Sequence, residues 1–170
     1  MLWNDRFMEI FSRCAEAYRK GNFYYSQDYS AEELEFLASI GYKPREFFDF
    51  IEDFVDEANP SPHTALLIAA VRRDYFLVEQ HGVASREVIV KNDLPSFGDD
   101  LDGVFYLPRI LKKARGKLKG ELDPDIMFGC GGDRKFLSQH GGIPAADFLR
   151  RVWAAGSDDS KVLRWLKTLS

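Results

Sequence analysis

Residues 128–134 read FGCGGDR, a cysteine set among three glycines and running into an acid and an arginine. Gly129, Gly131 and Gly132 allow positive φ and a close approach of backbone N–H groups to a ligand. Asp133 is a residue type that caps helices, and such a cap would aim the positive end of the next helix at Cys130. With Arg134 and Lys135 beside it, Cys130 is a candidate thiolate nucleophile, and the turn is a candidate anion site. His140 follows in the same segment, so a Cys-His arrangement for covalent catalysis is open. Plainer readings stand first: glycine turns before helices are common and buried cysteine is usually inert. A histidine before Gly141-Gly142 also serves as a helix C-terminal cation.

A second concentration of chemistry precedes it. Leu107, Ile110, Leu111, Ala114 and Leu118 make one apolar stripe at helical spacing over residues 107–119, with Pro108 suited to a first turn. Arg109, Lys112, Lys113, Lys117 and Lys119 then fall on the remaining faces. A solvated amphipathic helix explains this pattern, and a nucleic-acid surface is the alternative. Residues 101–120 hold six basic residues and one acid, against six basic and 13 acidic residues in 1–60. An acidic body would repel nucleic acid around a single basic helix. Charge complementarity with the first half, a small anion or a protein partner fits better. Arg72, Arg73, Arg150 and Arg151 would extend the patch only if the fold gathered them.

Other candidates are thinner. His63, His81 and His140 lie in separate segments without metal-ligand spacing, so no metal or cofactor is expected. Cys14 sits on an apolar helical face and reads as core. Glu46, Asp49, Glu52, Asp53, Asp56 and Glu57 lie along one helix as a solvated face, although Glu52 and Asp56 share a side. Two cysteines 116 positions apart argue against a disulfide framework. The longest apolar run, residues 65–71, is far short of the ~20 needed to span a bilayer. The first ten residues lack an export-signal pattern, so no membrane partner and a cytoplasmic setting are expected.

The positioning elements are helices. With 45% hydrophobic and 29% charged residues, the chain of 170 is expected to form a single compact all-α domain of about eight helices. Trp3, Phe7, Ile10, Phe11, Cys14 and Tyr18 mark one face of a first helix ending near Gly21. Ser30 with Glu33 is a capping box, Pro44 opens a third helix, and Ser61-Pro62 a fourth closed by Gly82. Residues 83–106 read as a connector with at most a short strand at 87–91, joining halves 1–82 and 107–170. Later helices fall near 107–119, 133–140, 144–155 and 158–168. Phe36-Leu37, Gly41, Pro44 and Phe48 recur as Phe136-Leu137, Gly141, Pro144 and Phe148, a constant offset of 100. Either the halves are similar, or this is how any two helices meet at a corner.

The run Gly103, Leu107-Pro108-Arg109, Lys113-Ala114-Arg115, Lys117-Leu118 and Gly120, followed by Asp133-Arg134-x-Phe136, resembles a bacterial family known as domain of unknown function 5069. The likeness covers roughly residues 100–170, and residues 36–80 look like a longer version of the family. It implies a compact, mostly helical bacterial protein and no particular reaction. A shared site would draw on Arg109, Lys113, Arg115, Cys130, Asp133 and Arg134. The expectation is a binding or regulatory module for a small anion or a protein surface. A small enzyme built on Cys130, with His140, is the second reading, and nucleic-acid binding through residues 107–119 the third.

Overall fold

The computed structural model describes residues 1–169 and is mainly helical, with eight α-helices and one small hairpin among them. None of the described helices is long and apolar enough to cross a membrane. The chain divides into two compact units, Met1–Gly82 and Val83–Ser170.

The first unit holds α1 (Trp3–Arg19), α2 (Ala31–Ser39), α3 (Pro44–Glu57) and α4 (Pro62–Val78). The apolar stripe of α1 packs on α3 through edge-on and tilted rings, with Phe7 and Phe47 centred 5.1 Å apart. Each such buried ring is worth roughly 1.5–3 kcal/mol relative to exposure. The capping box of α2 forms: the Ser30 hydroxyl accepts from the Glu33 N–H, and the Glu33 carboxylate accepts from the Ser30 N–H. Cys14 is fully buried, and burial pushes its thiol up to about 12.

The second unit holds a hairpin of β1 (Asp100–Leu101) and β2 (Val104–Phe105), then α5 (Leu107–Lys119), α6 (Gly131–Gln139), α7 (Ala145–Ala155) and α8 (Asp159–Lys167). Sheet pairing falls elsewhere than expected. Residues 87–91 contribute one parallel bridge, Ile89 to Leu122, while the antiparallel strands lie inside the stretch read as irregular connector. The reason is Asp102-Gly103, whose positive φ values of 50° and 81° make the two-residue turn that closes a hairpin.

The two units repeat one helical plan at an offset of 100. α2 occupies 31–39 and α6 131–139. Phe7, Ile10, Phe11 and Cys14 of α1 are buried, as are Leu107, Ile110, Leu111 and Ala114 of α5. α1 packs on α3 as α5 packs on α7. Gly41 and Gly141 both turn the chain at positive φ, 78° and 90°. The second corner runs one residue further. Its closing bond comes from Ile143 to the Leu137 carbonyl, where Tyr42 reaches Leu37 in the first. Pro44 therefore begins α3, whereas Pro144 caps α7.

Candidate functional site

The FGCGGDR turn is held by an acid at its helix's third position. Cys130, not Asp133, is the N-cap of α6. Asp133 lies one turn in and is fully buried. Its Oδ2 accepts from the Lys113 ammonium at 2.6 Å and from the Gly129 N–H at 2.8 Å, and its Oδ1 from the Tyr106 hydroxyl at 2.9 Å. Three donors on one carboxylate make its burial tolerable, since an unmatched buried charge is strongly disfavoured.

Lys113 corrects the helical-wheel expectation. It and Lys117 are buried, not arrayed on a solvated face. Residue 113 sits at i+3 from Ile110, on the flank of the apolar stripe, and Asp133 draws its ammonium inward. The same nitrogen donates to Cys130 Sγ at 3.1 Å. Cys130 is half-buried and makes no cap bond with its side chain.

Tyr106 is the residue that sequence reasoning missed. It precedes α5 in the left-handed region, at φ 71°, a conformation costing a bulky residue about 1–3 kcal/mol. The bond from its N–H to the Asp99 carbonyl and the bond from its hydroxyl to Asp133 hold it there. Burial, and then the Asp133 carboxylate, push the phenol well above its ordinary value, so it remains a donor. Gly132 makes room for it: a Cβ at 132 would lie 2.8 Å from the Tyr106 oxygen.

The remaining sequence candidates do not converge. Arg134 donates to the Gly129 carbonyl and fixes the turn. Arg109 donates to the Pro95 carbonyl at 2.7 Å and lies 4.1 Å over the Phe97 ring. Arg115 bonds the Gly156 carbonyl and Asp159 at the other end of α5. His140 is the C-cap of α6, about 15 Å along the axis from Cys130. Its Nδ1–H donates to the Phe136 carbonyl at 2.8 Å, so the proposed Cys130–His140 pairing does not form. On α3, Arg45 pairs with Asp49 and Glu52, and Asp56 accepts from Tyr18, so this face is partly tied down. Among the described residues no cluster of His, Cys, Asp or Glu is placed to hold a metal.

Along α6 runs a groove of about 480 Å³. Gly132, Lys135, Phe136, Gln139 and His140 line it at i, i+3, i+4, i+7 and i+8, one helix face. A row of rings crosses it: Phe97 to Tyr106 at 6.0 Å, Tyr106 to Phe136 at 5.9 Å, and Phe136 to His140 at 4.1 Å. Only a helix near residues 133–140 was visible in the sequence. The arrival of Phe97 and Tyr106 from before α5 was not, because the hairpin that delivers them went unread. The first unit has a counterpart of about 490 Å³ lined by Trp3, Arg6, Glu32, Phe36 and Ser39, the offset partners of Gly103, Tyr106, Gly132, Phe136 and Gln139.

No curated protein and no solved structure matches the chain. The likeness read at residues 36–80 lies outside what the family comparison covers. Residues 91–170, most of the second unit, match the model of the family described as a domain of unknown function (DUF5069), the resemblance expected from Leu107-Pro108-Arg109 and the residues that follow.

Proposed function

We propose that the second unit is a ligand-binding module whose site is the groove along α6. The supporting observation is the double position of Tyr106. Its ring walls the groove, and its hydroxyl is locked to Asp133, itself locked by Lys113 and Gly129. A concave, ring-lined surface with one wall fixed by a buried polar network is the ordinary make-up of a small-molecule site. The charged residues first suspected of touching ligand act instead as its frame. Arg109 backs Phe97, Arg134 holds the glycine turn, and the Lys113–Asp133 pair anchors Tyr106.

Catalysis by Cys130 is the second reading, favoured by the 3.1 Å contact with Lys113 and by the helix N-terminus. Against it, the Lys113 cation is already matched by Asp133, and His140 caps the far end of the helix. Nucleic-acid binding through α5 loses most of its charge: Lys113 and Lys117 are buried, Arg109 and Arg115 are engaged, and of the basic residues on that helix Lys112 and Lys119 alone are exposed.

The test is a thermal-shift screen of small aromatic and aliphatic ligands, neutral and charged, on the full chain and two variants. Binding at the groove predicts shifts that vanish in Phe97→Ala and survive in Cys130→Ser. Shifts lost in Cys130→Ser and kept in Phe97→Ala would overturn the proposal in favour of the thiol.

A further inference from the structure

We infer that the second-unit groove takes a planar aromatic anion, an aromatic ring bearing a carboxylate or an equivalent acidic group. The inference rests on the binding reading above and specifies the ligand for the same groove. Two features carry it. The first is the row of four rings, Phe97, Tyr106, Phe136 and His140, with centroid spacings of 4.1–6.0 Å. Flat rings at such spacings present faces and edges that a further flat ring can extend, by offset stacking or edge contact. Phe97 is 67% exposed, so much of that surface is open at one end.

The second feature is charge. Lys135, on the groove face of α6, is exposed and makes no ion pair among the described residues. His140 uses Nδ1 on its own helix and leaves Nε2 for a ligand. The nearby carboxylates are already engaged. Asp133 is held by Lys113, Asp99 and Asp100 accept backbone N–H groups of their own loop, and Asp102 pairs with Lys167. An acidic group beside Lys135 therefore meets an unmatched cation at the rim, while its ring lies on the aromatic row.

The first unit supplies the contrast. At the offset positions stand Arg6, Glu32, Glu35, Phe36 and Ile40 in place of Tyr106, Gly132, Lys135, Phe136 and His140. Arg6 is already paired with Glu9 at 2.8 Å. That groove lacks the ring row, its side-chain cation Arg6 is paired, and two acids stand where the second unit has a glycine and a lysine.

The experiment is isothermal titration of the full chain with 2-naphthoate and with its neutral analogue 2-naphthylmethanol, repeated on Lys135→Met and Phe97→Ala. Both substituted side chains are exposed, so neither change threatens the fold. The carboxylate is expected to bind about fivefold tighter than the alcohol, the size of one screened charge contact. Lys135→Met brings the two to parity, and Phe97→Ala weakens both. Equal binding of acid and alcohol, both lost in Phe97→Ala, would overturn the anion and leave the groove as a binding site. Carboxylate binding unchanged in Phe97→Ala would overturn the groove as well. Binding of neither probe would overturn the ligand class, and the broader ligand screen would then decide the groove independently.

Discussion

At matching points of the two units a cation on the first helix meets an acid at the third position of the second. Arg13 pairs with Glu33, and Lys113 with Asp133, each an offset of 100. In the first unit the arginine side chain is 43% exposed and reaches Glu33 with two nitrogens, each at 2.7 Å, while Glu33 also completes a serine capping box. In the second, both partners are inside, with 5% and 0% of their side chains exposed. The shorter acid cannot reach out to a surface cation, so the lysine comes in. Tyr106 covers the pair, Gly132 admits Tyr106, and Cys130 stands where Ser30 capped the helix. One pair fastens a helix start. The other fastens a helix start and one wall of a groove.

The largest effect expected from this difference is in stability. Asp133→Ala leaves the Lys113 ammonium buried without its acid and is expected to cost the second unit about 3–5 kcal/mol. Glu33→Ala loses a cap and a partly exposed pair, for about 1–2 kcal/mol in the first unit. Native-state hydrogen exchange reads the units separately, and equal losses would remove the distinction drawn between the two pairs.

Next comes Gly132→Ala. In an exposed helix position this change gains up to about 1 kcal/mol. Here the new methyl displaces the Tyr106 hydroxyl from Asp133, for an expected net loss of about 1–3 kcal/mol. Glu32→Ala, at the matching position of the first unit, is expected to change stability by less than about 0.5 kcal/mol. A gain from Gly132→Ala would mean that the hydroxyl contact is dispensable.

The cysteines extend the contrast to pH. Burial raises the Cys14 thiol from 9.0 to about 12, so the folded state keeps it neutral while the unfolded chain ionises first. Its contribution to stability is complete below pH 9 and is lost as pH rises toward 12. Tyr29 and Tyr42 of the same unit are raised in the same direction by burial, so Cys14→Ala reduces the alkaline slope without abolishing it. Alanine already stands at the matching position, 114. In the native protein iodoacetamide is expected to modify Cys130 and spare Cys14, read by mass spectrometry; the reverse order would place the wrong thiol inside. Smallest of all, Lys112→Gln on the exposed side of α5 is expected to stay within about 0.5 kcal/mol in urea unfolding, whereas Lys113→Met removes the buried cation.

Local signals carried the helices into view: apolar stripes, the Ser30–Glu33 box, and the prolines that open α3 and α4. The offset of 100 was visible at Phe36, Gly41, Pro44 and Phe48 because corner residues are demanding types. The ion pairs at 13/33 and 113/133 share the offset but not the residue types, so identity counting passed over them. Lys113 was misplaced because periodicity describes a helix face, not what faces it, and its partner lies twenty residues away. Tyr106 escaped for the opposite reason. Its left-handed backbone runs against its own preference and is bought by contacts with Asp99 and Asp133 that no local pattern announces. The groove needed both, together with the hairpin that closes at Asp102-Gly103.

The comparison between the two grooves is tested most directly by amide chemical-shift mapping of the full chain during titration with 2-naphthoate. Shifts are expected to concentrate at Gly132, Lys135, Phe136 and His140, with no matching set at Glu32, Glu35, Phe36 and Ile40. Shifts of equal size in both sets, or in the first unit alone, would contradict the assignment of the site to the second unit.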